Sequence, residues 1–79
     1  MNMLGKVKTY REDRGFGFCA SEGRSVFFHV SDFEDRRIPK VNDVIEFDLG
    51  IDPKSRRMKA MHIRILTPEY EYEQKEINQ

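Results

Sequence analysis

Hydrophobic and polar residues alternate along much of this chain with a period of two, the repeat of a β-strand with one buried face. The clearest stretch is VIEFDLG, where Ile45, Phe47 and Leu49 point one way and Glu46 and Asp48 the other. MKAMHIRIL repeats the pattern, setting Met61, Ile63 and Ile65 against His62 and Arg64. MLGKVKTY (3–10) reads as a first strand with Val7 inward, RGFGFCA (14–20) as a second and SVFFHV (25–30) as a third. The connections carry turn chemistry: REDR, SEGR with Gly23 free to take positive φ, and DPKSRR with Pro53 early in the turn. The short SEGR turn makes the second and third strands a hairpin. In the longer SDFEDRRIPKVND, Ser31 is placed to cap a single helical turn and Pro39 stops any long helix. Five short strands separated by such turns predict one all-β domain, a small closed or nearly closed barrel.

Alternation also raises a question. In the second strand Phe16 and Phe18 share one face, and Gly15, Gly17 and Cys19 the other. Small residues suit the inside of a narrow barrel, so the two rings face out. In the third strand Val26 and Phe28 make the core pair, which turns Phe27 and His29 outward. Antiparallel neighbours bring both outward sets onto one surface. A 79-residue chain has few apolar residues to spare for solvent. Either the rings form a binding surface, or they belong to a second core face covered by the tail or by a partner subunit. Val26, Phe28, Ile45, Phe47, Met61 and Ile63 already supply a core, which favours the binding surface.

Exposed rings suit the π-faces of unpaired bases, whatever the base. Lys6, Lys8, Arg11 and Arg14 lie close in sequence to the aromatic strands, and Lys54, Arg56, Arg57 and Lys59 extend the basic rim. The formal net charge of zero argues against a polyanionic ligand only as a sum. Of 14 basic and 14 acidic side chains, one and four respectively lie from Thr67 onward, leaving 13 basic and 10 acidic in residues 1–66. A mildly basic body and an acidic tail are expected, and local patches set the field a ligand meets.

Two motifs carry a family resemblance. RGFGFC resembles the first ribonucleoprotein motif of the cold-shock domain, and VFFHVS its second, in the right order and at a fitting distance. GKVKTY is similar to the family's first strand and AMHI to the start of its last. The likeness runs from about Leu4 to Leu66. It implies a five-stranded antiparallel OB-type barrel that binds single-stranded RNA or DNA. Position by position, it implies base stacking by Phe16, Phe18, Phe27 and His29. It further implies a phosphate or base contact from Lys8 and an aromatic role for Tyr10. With Arg14, Arg57 and Lys59 from the basic rim, these make the expected interface. Thr9 stands where the family usually has Trp, and Val30 where a further Phe is usual; nearby Arg11 or Arg37 can stack in part compensation. Asn42 replaces a frequent Gly and tolerates a left-handed turn.

Other residues read as structural. Cys19 is a small core residue with no base beside it, and a lone cysteine forms no internal disulfide. His29 and His62 lack a metal-ligand pattern, and Asp32, Glu34 and Asp35 suit a solvated loop. No enzyme, metal or cofactor is expected. No apolar run is long enough for a membrane span, MNMLGKVK lacks a secretory signal's apolar middle, and a cytoplasmic location is expected. Residues 1–66 form the domain, and 67–79 an acidic, flexible tail. Tyr70 and Tyr72 among carboxylates could instead mimic bases and phosphates and fold back over the aromatic face. A monomer is expected, with a dimer left open. The function expected is an RNA chaperone acting on transcription or translation; the alternative is a degenerate barrel serving as a protein-interaction module.

Overall fold

A computed structural model describes residues 2–35 and 37–68. The strands are β1 (Asn2–Arg11), β2 (Phe16–Ser21), β3 (Arg24–His29), β4 (Val44–Ile51) and β5 (Met58–Ile65), with a 3₁₀ turn at Val30–Asp32. They close into a barrel in the order β1-β2-β3-β5-β4, and β4 returns to β1. Every pairing is antiparallel except β3 with β5, which run parallel and meet where Phe27 faces Lys59. The interior holds Val7, Cys19, Val26, Phe28, Ile45, Phe47, Ala60, Ile63 and Ile65, with Tyr10, Phe33, Met3 and Leu49 packed at its margins. Among the described residues no helix is long and apolar enough to cross a membrane.

The β2–β3 hairpin turns on Glu22 and Gly23, both at positive φ (51° and 76°). Two successive left-handed residues are the requirement of a tight turn whose twist matches the flanking strands. Asn42 takes φ 80°, the conformation its side chain tolerates.

Two β-bulges break the alternation and reassign residues to faces. In β1, Val7 pairs with Cys19 and Thr9 with Phe18, so Lys8 is an extra residue. In β5, Glu46 pairs with Arg64 but Asp48 with Met61, so His62 and Ile63 together oppose Phe47, and His62 sits at φ 52°. The second bulge corrects the place of Met61: the core position is taken by Ala60, and Met61 lies half-buried over Gly50.

Two local readings also change. β2 begins at Phe16, because Arg14 and Gly15 belong to the turn: both backbone N–H groups donate to the Arg11 carbonyl, and Gly15 takes φ 75°. The cap of the 3₁₀ turn is His29, whose side chain accepts the Ser31 N–H; Ser31 lies inside the turn. Thr67 is tied to the barrel, its Oγ1 accepting the Val44 N–H and its carbonyl accepting Arg37 Nη1. Tyr70, Tyr72 and the rest of the acidic tail from Glu69 lie outside the described residues.

Candidate nucleic-acid interface

Strand register fixes which side chains share the outer surface. One rung runs Thr9–Phe18–Phe27–Lys59 across β1, β2, β3 and β5. The next runs Arg11–Phe16–His29 across β1, β2 and β3. Inward rungs alternate with these: Tyr10–Gly17–Phe28 lies between the two, and Val7–Cys19–Val26 beyond Phe18. The outer rungs therefore gather Phe16, Phe18, Phe27 and His29 on one surface, with a cation at an end of each rung.

The rings form a continuous row. Phe27 is its centre, 5.8 Å from Phe16 at 33° and 5.7 Å from Phe18 edge-on. Phe18 is the most open of the three, 38% exposed, whereas Phe16, Phe27 and His29 are half-buried. Rings held by one another on one side keep the other side for a ligand, and lose little side-chain freedom when it arrives.

The inward neighbours explain why so many rings fit on so small a barrel. Gly17 lies beneath the Thr9 carbonyl, and a Cβ there would meet that oxygen and come within 2.7 Å of Phe28 Cζ. The bulge at Lys8 thus brings the β1 backbone down onto a residue that has no side chain. The same bulge turns Tyr10 inward, where it stacks on Phe28 with centroids 6.2 Å apart and planes at 14°. Tyr10 therefore lies on the opposite side of β1 from the ring row, because alternation from Val7 is reset by one residue.

The cations differ in how they are held. Lys8 is exposed at the bulge, and Arg14 is exposed in the turn before β2. Arg11 makes a loose, exposed ion pair with Asp13 at 3.7 Å. Lys59 is more constrained: its ammonium donates to Asp32 Oδ2 at 3.2 Å, with both side chains about four-fifths covered. Arg57 stands two residues before Lys59, in the β4–β5 turn, and with Lys59 lines a groove beside Phe27. Asp52 and Ser55 line the same groove. Sequence reasoning did not single them out, since an Asp and a Ser near Pro53 read simply as turn residues.

The remaining candidates for chemistry are structural in their surroundings. Cys19 is buried in the core, and burial pushes its thiol up to about 11, partly offset by a backbone hydrogen bond. His62 is exposed, 3.8 Å from Glu34.

A family model described as the 'Cold-shock' DNA-binding domain matches residues 3–66. A cold shock domain-containing protein of Drosophila melanogaster is 36% identical over 79 residues, covering 94% of this chain and 55% of that protein. The cold shock-like protein CspA of Rickettsia typhi is 30% identical over 66 residues, covering 81% of this chain and 94% of its own length. Among solved structures, drosophila Unr CSD456 superposes with a TM-score of 0.68 at 30% identity, covering 87% of this chain and 28% of that one. This chain thus spans about half of its fly relative and nearly all of the rickettsial one.

Proposed function

The chain belongs to the cold-shock domain family, and on that premise we propose that it binds single-stranded RNA or DNA on the surface bearing Phe16, Phe18, Phe27 and His29. Bases stack on the ring row, while Lys8, Arg11 and Arg14 meet phosphates along its edges. The observation that carries this reading is the contact of Phe27 with both Phe16 and Phe18, an unbroken apolar strip set between Arg11 and Lys59. Stacking needs a base that has left its duplex, so every bound nucleotide favours the open strand. The protein then acts as an RNA chaperone in the cytoplasm, without ATP, by shifting the folding equilibrium of weak hairpins. Its effects on transcription or translation follow from RNA structure, and one barrel suffices, so it works as a monomer.

The test is titration with a labelled oligo-dT or oligo-U at two salt concentrations. Binding is expected to weaken as salt rises. Phe16→Ala and Phe27→Ala are each expected to cost about 1–3 kcal/mol of binding while the unfolding transition remains. No measurable complex near a millimolar concentration, about −4 kcal/mol, overturns the reading in favour of a protein-interaction barrel.

A further inference from the structure

At the β5 end of the ring row lies an open groove of about 440 Å³, walled by Phe27 and lined by Asp52, Ser55, Arg57 and Lys59. A carboxylate beside a polyanion's path costs affinity unless it receives something in return. The turn explains part of Asp52: its Oδ2 accepts the Ser55 N–H at 3.0 Å and the Ser55 hydroxyl at 2.8 Å. Both bonds fall on one oxygen, which leaves Oδ1 as the acceptor for an incoming group. The Ser55 N–H first, and its hydroxyl second, hold the Asp52 carboxyl below its ordinary value, so it stays ionised and accepts only. The groove's cations, by contrast, only donate. Lys59 is fixed by Asp32, leaving Arg57, exposed in the turn, to reach for a ligand.

We propose that this groove is a base-reading subsite for guanine, which stacks on Phe27 with its N1–H and N2–H₂ edge on Asp52 and its O6 and N7 edge on Arg57. The proposal rests on the single-strand binding argued above. Phe27 welcomes any base, so the choice comes from the polar pair. Guanine alone sets two donors side by side on one edge and two acceptors on another, matching a carboxylate and a guanidinium. Uracil flanks its single N–H with carbonyls, and a carboxylate repels both. Cytosine and adenine place one amino donor next to a ring-nitrogen acceptor, an intermediate match.

The experiment compares a U-rich hexamer containing one guanine with oligo-U, on the wild-type chain, with amide shifts followed by NMR. The guanine strand is expected to bind about tenfold tighter and to move the Phe27, Asp52 and Arg57 signals. Asp52→Asn keeps a carbonyl oxygen for Ser55 and replaces the other oxygen with a donor. The guanine preference is then expected to vanish or invert toward uracil, with an unchanged unfolding midpoint. Equal affinity of the wild type for the two strands overturns the proposal, as does a preference that survives Asp52→Asn. The wild-type comparison decides even if that variant fails to fold. If Phe27→Ala weakens both strands and the wild type shows no guanine preference, the subsite falls and single-strand binding stands. If neither strand binds, both fall together.

Discussion

The imidazole of His29 accepts the backbone N–H of Ser31 at Nδ1, 3.1 Å away, and the Ser31 hydroxyl lies 2.9 Å from the same nitrogen. A ring nitrogen that accepts a backbone N–H carries no proton of its own, so the neutral ring holds its proton on Nε2. That edge lies over Gly15, where a Cβ would sit 3.5 Å from Nε2. The turn after β3 thus sets both the tilt of the imidazole and the donor it presents. ¹⁵N NMR in alkaline solution is expected to show His29 as the Nε2–H tautomer in the free protein. A dominant Nδ1–H signal would contradict the cap.

Phe27 touches both neighbouring rings, whereas Phe16 and Phe18 each touch Phe27. Its removal opens a gap in the middle of the row as well as deleting one platform. Among single alanine substitutions, Phe27→Ala is therefore expected to weaken binding most, by about ten- to hundredfold, with Phe16→Ala and Phe18→Ala each costing less. Fluorescence anisotropy with a labelled oligo-dT ranks the three. A larger loss at Phe18 than at Phe27 would place the centre of the ligand elsewhere.

Period-two alternation recovered the strands and the four outward rings, because β2 and β3 pair without a break from Phe16–His29 to Ser21–Arg24. Carried unbroken past Val7 and Ile63, alternation inverts the faces of Tyr10 and Met61 for one shared reason. Each lies beyond a bulge, and one extra residue inverts every assignment past it. The bulge at Lys8 sends Tyr10 in and leaves Thr9 and Arg11 out with the rings. The bulge at His62 sends Met61 out, Ala60 in, and Lys59 onto the surface beside Phe27. Neither position carries a glycine, the usual mark of such a break, so the sequence gives no warning. Charge alone puts Lys59 on the basic rim, but its neighbour across β3 depends on that hidden residue. Asp52 and Ser55 were invisible for a different reason: turn chemistry accounts for both, and only the proximity of Phe27 gives them a second use.

The thiol of Cys19 gives a pH signature. Burial raises it to about 11 in the folded chain, above its ordinary value. As pH rises from about 9 to 11, the unfolded chain releases this proton while the folded chain keeps it. Fewer protons bound in the unfolded state mean that stability falls across that window and is unaffected by this group below it. The loss is on the order of 1–2 kcal/mol once partial screening is allowed for. Urea unfolding at pH 8 and pH 10.5 is expected to show a smaller decline for Cys19→Ala than for the wild type. Lysine and tyrosine titrations are common to both proteins, so equal declines would mean that the thiol ionises freely in the folded state.

Gly17 is required by the approach of two backbones. Its missing Cβ leaves room for the Thr9 carbonyl on one side and Phe28 Cζ on the other. Gly17→Ala is expected to destabilise the barrel by about 1–3 kcal/mol or more, because neither the β1 carbonyl nor a core ring can retreat cheaply. Gly23, with nothing within 4 Å of its Cβ position, provides the contrast: it is demanded by its φ of 76° and not by packing. Thermal unfolding of Gly17→Ala checks the expectation, and a midpoint equal to wild type would show that the Lys8 bulge is free to move.

Thr9 offers a gain-of-function test. It faces outward next to Phe18, at the β1 end of a rung that continues through Phe27 to Lys59. A hydroxyl and a methyl there give a base little to stack on. Because the bulge at Lys8 already aims this position at solvent, a larger side chain adds surface without entering the core. Thr9→Trp is expected to lengthen the ring row by one platform and to tighten binding of oligo-dT by about 1–3 kcal/mol. The chain contains no tryptophan, so the new indole is also the reporter, and stacking on a base is expected to quench its fluorescence. If the indole is quenched but affinity does not rise, the ligand reaches Thr9 without needing a ring there. If neither changes, the bound strand runs off the sheet before β1, and the interface is confined to β2, β3 and β5.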